Sequence, residues 1–196
     1  DVLTWGIGAY DLRAINASGD NGLGVSVRAT WAPLLAVGQV LHLGASGTYE
    51  RPSSGTPPTD IRTTVAYAGR RGPRTVVGSA SGGEPATTAG LEFADATGPY
   101  FVQGEFMLQN LQQAGALPEQ DILAWYVQGS VFLTGETRPY DRRNGVFGTP
   151  SPRSRAGAWE LTARYDEAVN QDAESFGGCD GGVFPDGCEA RSITAG

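Results

Sequence analysis

The side chains with chemistry to offer are guanidinium groups. The chain of 196 residues carries 14 basic residues, and every one is arginine. A guanidinium fork suits phosphate-like oxygens and keeps its charge at any relevant pH. Three groups stand out: Arg62, Arg70, Arg71 and Arg74 in one long polar segment; Arg138, Arg142 and Arg143 in another, with Arg153 and Arg155 close behind; and Arg28 and Arg164 singly within apolar–polar alternation. Each could guide an anion. Each also has a plainer reading. The first group could decorate a solvated surface loop, the second could pair with Glu136, Asp141 or Glu160, and Arg28 and Arg164 could pair with Glu92, Glu105 or Glu160.

Other chemistries find little footing. His42 is the single histidine. Without a second histidine or a carboxylate cluster nearby it reads as a hydrogen-bonded wall residue, not a metal ligand. The carboxylates of Glu136 and Glu160 have no matched partner at a useful spacing, and there is no Gly-x-Ser-x-Gly elbow. Catalysis is not expected, and neither is a cofactor or a metal. Cys179 and Cys188 flank a Gly- and Pro-rich loop, which suits a disulfide in an oxidising compartment; two free thiols or a metal pair are the alternatives.

The elements that must position these groups alternate apolar and polar residues. The clearest run is 156–166, with Gly157, Trp159, Leu161, Ala163 and Tyr165 on one face and Glu160, Thr162, Arg164 and Asp166 on the other. Successive strand side chains point to opposite sides, so this is a strand with one greasy and one charged face. Similar patterns predict strands at about 2–10, 22–33, 39–50, 87–97, 99–112, 122–135 and 156–167, with an eighth beginning near Arg191. Several reach ten residues, the length a tilted strand needs to cross a bilayer, where soluble strands average about five or six.

The connections support the same reading. Short ones follow the second and fourth strands, and long ones occupy 51–86 and 170–189, as the periplasmic turns and extracellular loops of an outer-membrane barrel do. On that pattern 51–86, 113–121 and 170–189 face the outside. Segment 136–155 is then a long, arginine-rich periplasmic turn that could fold into a lumen. Trp5, Trp31, Trp125, Trp159, Tyr49, Tyr100 and Tyr165 could form interfacial girdles, or else pack in a sandwich core. A formal charge of −7 argues against a nucleic-acid partner but not against an anion pore, because charges at the constriction set selectivity. No run of eighteen apolar residues exists to make a membrane helix. Both ends read as interrupted strands, so the expectation is a fragment of a longer barrel, since unpaired edges are not tolerated in a bilayer.

One further pattern is specific. Leu133-Thr134-Gly135-Glu136-Thr137-Arg138-Pro139-Tyr140, then Gly145-Val146-Phe147, then Gly157-Ala158-Trp159-Glu160-Leu161-Thr162-Ala163-Arg164-Tyr165-Asp166, resembles the phosphate-selective porin O/P family. Val40 to Ser46, Gly90 to Pro99 and Phe101 to Phe106 agree in order, from about residue 22 to 196. The resemblance implies an all-β, antiparallel, sixteen-stranded transmembrane barrel, usually a homotrimer, of which about seven to eight strands are present as one domain over 1–196. It implies passage of phosphate, pyrophosphate or related small anions across an outer membrane of lipid and lipopolysaccharide. Arg62, Arg70, Arg71 and Arg74 do not form a clean alternating ladder, a departure from the phosphate-specific members. The alternatives are a barrel that serves as a scaffold without selective transport, and a secreted β-sandwich binding module.

Overall fold

A computed structural model describes residues 1–12, 22–53, 61–66, 74–80, 82–172 and 189–196. Eight long strands make one antiparallel sheet: β1 (Val2–Asp11), β2 (Gly22–Ala36), β3 (Gln39–Pro52), β6 (Ala86–Thr97), β7 (Tyr100–Leu111), β8 (Gln120–Phe132), β11 (Glu160–Asn170) and β12 (Glu189–Ala195), in that spatial order. Two short hairpins lie off the sheet. One is β4 (Ile61–Ala66) with β5 (Arg74–Ala80), and the other is β9 (Tyr140–Asp141) with β10 (Val146–Phe147). Among the described residues β1 and β12 are edges, so the eight strands form an open sheet and not a closed barrel.

Register makes the alternation coherent across strands. Leu3, Trp31, Leu43 and Phe93 are successive cross-strand partners, and Leu91, Phe106 and Trp125 form a second apolar row. Such pairs stabilise a sheet when their shared face is removed from water. Yet Trp5 and Ile7 are each 77% exposed and Ile193 is 83% exposed, and no second layer of described residues covers this face. That arrangement is the inverse of a sandwich, whose apolar faces are sealed against one another.

The burial is on the polar face instead. At one end, segment 133–159 folds back over it, and Phe147 packs against buried Ala94, Ala96 and Phe101. At the other end the β4–β5 hairpin folds over the same face. Val77 and Ala80 there pack with Ala86, Leu111 and Ile122. Asn170 Nδ2 ties that hairpin down, donating to the Val77 carbonyl at 2.8 Å and to Gln120 Oε1 at 3.0 Å.

Three boundaries differ from expectation. The strand expected at 156–167 begins at Glu160, because Gly157 has φ +91° and ends a turn, and it runs on to Asn170 because Glu167–Asn170 keep pairing with Ile122–Trp125. The strand expected to reach 135 stops at Phe132, where the Gly135 amide closes a turn onto the Phe132 carbonyl at 3.0 Å. The long connection 51–86 holds the β4–β5 hairpin, which alternation alone did not mark.

Candidate functional site

The candidate site is the polar face between the two folded-over segments. Its charges lie along one cross-strand row. Gly44, Glu92, Glu105, Tyr126, Asp166 and Ser192 are partners in turn from β3 to β12. Glu92 and Glu105 stand directly opposite one another, an arrangement that is unfavourable unless each carboxylate finds a donor.

Each does. Arg28, on β2, reaches across β3 and pairs with Glu92 through two bonds, Nε to Oε1 at 2.8 Å and Nη2 to Oε2 at 2.9 Å. Gly44 makes the crossing possible, since a Cβ there would collide with the Glu92 carboxylate. Tyr126 donates its hydroxyl to Glu105 at 2.6 Å. Arg164 lies 3.5 Å from the Tyr126 ring centre and donates from Nε to Asp166 at 2.7 Å. Arg138 pairs with Glu160 while its guanidinium sits over the rings of Phe101 and Phe132, at 4.7 and 5.3 Å. The wall arginines Arg28, Arg138 and Arg164 are therefore all neutralised by carboxylates, which fixes their geometry and damps their field.

The β9–β10 hairpin supplies the rest. Asp141 organises its tip by accepting from the Asn144 side chain at 2.5 Å and from the Arg143 and Asn144 amides at 2.8 and 3.3 Å. These bonds, the Asn144 side chain first, hold the Asp141 carboxyl below its ordinary range. Gly145 has φ +61°, and a Cβ on it would strike the Thr4 and Thr30 hydroxyls, so the tip lies directly on the wall. The Asn144 and Gly145 carbonyls accept from Arg28 at 3.4 and 3.2 Å. Tyr140 brings its hydroxyl within 2.9 Å of Nδ1 of His42, which is 4% exposed, while His42 Nε2 lies 3.6 Å from Glu92. Phe147 closes the contact, 5.0 Å from the rings of both Phe101 and Tyr140. At the base of the turn Glu136, 2% exposed, accepts from the Thr134 hydroxyl and from the Arg153 amide, the latter at 2.9 Å. Those donors, Thr134 first, lower the Glu136 pKa.

The sequence-predicted arginines are thus distributed unevenly. Arg142 and Arg143 are exposed at the hairpin tip, and neither forms an ion pair among the described residues. Arg153 and Arg155 are exposed on the same segment. Arg62 is exposed on β4, and Arg74 begins β5. Arg70, Arg71, Cys179 and Cys188 lie outside the described residues. Sequence reasoning missed the roles of Tyr140, Asp141 and Gly145. The Asn144-Gly145 pair, a strong hairpin signal, could have located them.

A family model described as phosphate-selective porin O and P matches residues 3–195. Porin O of Pseudomonas aeruginosa is 31% identical to this chain over 189 residues, which is 87% of the chain and 42% of that protein. The chain therefore spans less than half the length of that relative.

Proposed function

This chain belongs to the phosphate-selective porin O and P family, and from that premise we propose that it forms part of the wall of a water-filled outer-membrane channel through which small anions such as phosphate or pyrophosphate diffuse passively. The observation that carries the reading is the inverted sheet: its continuous apolar face is exposed and its charged face is covered by its own hairpins. Hydrocarbon suits the first face and a narrow aqueous lumen the second.

In this reading the end bearing 133–159 is periplasmic and the end bearing β4–β5 is extracellular, among lipopolysaccharide. Arg142 and Arg143, exposed at the hairpin tip near the Asp141 carboxylate, offer positive charge to the lumen. Arg28, Arg138 and Arg164 line the path but act mainly through their carboxylate partners, and Arg62, Arg70, Arg71 and Arg74 belong to the outer vestibule. The Cys179–Cys188 pair is a disulfide of an outer loop, and the assembly is a homotrimer. Nothing in the mechanism requires bond making: the channel replaces part of an anion's hydration and releases it again.

The test is a planar-bilayer recording of the full-length protein under a salt gradient. A stable open conductance with a reversal potential on the anion side is expected. A second reading, a scaffold barrel with an occluded lumen, draws on the two segments folded over the inner face; silence in the bilayer despite correct insertion would select it.

A further inference from the structure

His42 stands between the β9–β10 hairpin and the charged row beneath it. Its Nδ1 lies 2.9 Å from the Tyr140 hydroxyl, and its Nε2 lies 3.6 Å from Oε2 of Glu92. The ring also meets Phe147 edge-on at 6.1 Å. The hairpin therefore rests on a group that can change its charge near neutral pH.

The recess under the hairpin, of about 260 Å³, is out of balance while that ring is neutral. Arg28, Glu92, Glu105 and Tyr126 share its lining with His42. Arg28 answers Glu92 through two bonds, at 2.8 and 2.9 Å. Glu105 accepts from the Tyr126 hydroxyl at 2.6 Å, a neutral donor. Two carboxylates thus face one guanidinium. Arg164 and Arg138 do not redress this, since they are paired with Asp166 and Glu160. From the hairpin come Tyr140, a neutral phenol, and Asp141, at the exposed tip. An unmatched charge grows costly as water is stripped from around it, which is what seating the hairpin does. An imidazolium at His42 is the missing positive charge.

We propose that His42 is a positioning residue for the β9–β10 hairpin and makes its seating pH-dependent: the hairpin lies firmly on the wall when His42 is protonated and lifts more readily when it is neutral. In the neutral ring the proton belongs on Nε2, toward the Glu92 carboxylate, and Nδ1 accepts from the Tyr140 hydroxyl. Protonation puts a second N–H on Nδ1. The Tyr140 oxygen accepts from it and turns its own proton toward Thr30. The Thr30 side chain hydrogen-bonds Tyr140, and its hydroxyl is paired with that of Thr4 at 2.5 Å. No heavy atom has to move, and a neutral hydrogen bond to the hairpin becomes a charge-assisted one, about twice as strong. Proton uptake and seating are then linked, so seating strengthens as pH falls through the range in which histidine titrates and weakens as pH rises through it.

Two measurements on the full-length protein test this, one independent of the channel reading and one resting on it. The first is hydrogen exchange in detergent. Gly148 donates its amide to the Pro139 carbonyl and Gly145 to the Asp141 carbonyl, each at 2.8 Å. A hairpin this small has little stability of its own, so these amides exchange when it lifts. Their protection factors, each taken against intrinsic exchange at the same pH, should rise roughly threefold to tenfold from about pH 7.5 to about pH 5.5. His42→Gln keeps polar contacts but takes up no proton, and its profile should be flat. Glu105→Gln balances the recess at neutral pH and should shrink the rise to about twofold or less. The second measurement is bilayer conductance in potassium chloride, whose ions do not titrate in this range. The open conductance should be smaller and quieter at the acid end, and His42→Gln should abolish the difference. The proposal is overturned by a flat wild-type exchange profile, by a rise that survives His42→Gln, or by one undiminished in Glu105→Gln. The stated exchange response in a protein that does not conduct would keep the switch and remove the channel. Steady conductance with flat exchange would remove the switch and leave the channel standing.

Discussion

Glu136 shows how one side chain can hold a whole segment in place. Its carboxylate accepts from Thr134 and Arg153, and Thr134 Oγ1 in turn accepts from the Trp159 amide at 3.0 Å. These bonds tie the start of segment 133–159 to its far side. Because they favour the ionised form, the folded pKa lies below the ordinary carboxylate value. The sign follows from linkage: the group stabilises the turn fully above its unfolded pKa, and that contribution is lost as pH falls through the depressed folded pKa. The expected outcome is that the Arg153 amide is protected at neutral pH, relative to its intrinsic exchange rate at the same pH, and that this protection factor falls only at pH below the usual carboxylate range. Glu136→Gln should show fast exchange already at neutral pH. Equal protection in the two proteins at neutral pH would mean that the carboxylate does not hold the turn. The importance of Glu136 was only half legible in the sequence. Its place in the Thr134-Gly135-Glu136 motif was visible, but its partner Arg153 lies seventeen residues on, across a turn that periodicity does not resolve. In the sequence, the pairing of Arg28 with Glu92 is one option among several, because the partners are 64 residues apart.

At the scale of elements, the long strands were readable because period-two alternation is imposed by burial on two chemically different sides. The short hairpins were not. β9 and β10 are two residues each, too short for any period, and their position is set by contacts to the wall. β4–β5 contains Thr, Val and Ala without clean alternation, because its pairing slips by one residue between Thr63 and Thr64, so that Val77 and Ala80 both reach the cluster with Leu111 and Ile122. The β9–β10 hairpin is seated chiefly by Phe147, which lies edge-on to Phe101 at 5.0 Å and to His42 at 6.1 Å and is braced by its own hairpin partner Tyr140 at 5.0 Å. Deleting a fully buried Phe costs about 3–5 kcal/mol, and this half-buried ring should account for about 2 kcal/mol of seating energy. Phe147→Ala is therefore expected to free the hairpin without unfolding the sheet. Far-ultraviolet circular dichroism should be unchanged, while bilayer recordings should show a larger, noisier open conductance. An unaltered conductance would mean that this hairpin does not narrow the path.

For the whole molecule, the question is which solvent each face meets. Leu91 and Thr88 are three residues apart on β6 and point to opposite sides; Leu91 is 62% exposed among Phe106 and Ala45, and Thr88 accepts from Gln109 Nε2 at 3.1 Å. In a water-soluble protein an exposed Leu tolerates a charge, and a half-covered polar site beneath a hairpin tolerates it less well. In a membrane wall the order reverses. An arginine facing hydrocarbon near the bilayer midplane costs about 2–4 kcal/mol, whereas one facing an aqueous lumen costs within about 1 kcal/mol. Leu91→Arg should therefore destabilise the protein in lipid vesicles by the larger amount and Thr88→Arg by the smaller, as read from denaturant midpoints at equal slope. The comparison is internal, since both variants add the same charge to the same strand, so the change in net charge cancels. If Thr88→Arg proved the more damaging of the two, the apolar face would be one that water tolerates, and the inverted sheet would need a protein partner in place of lipid.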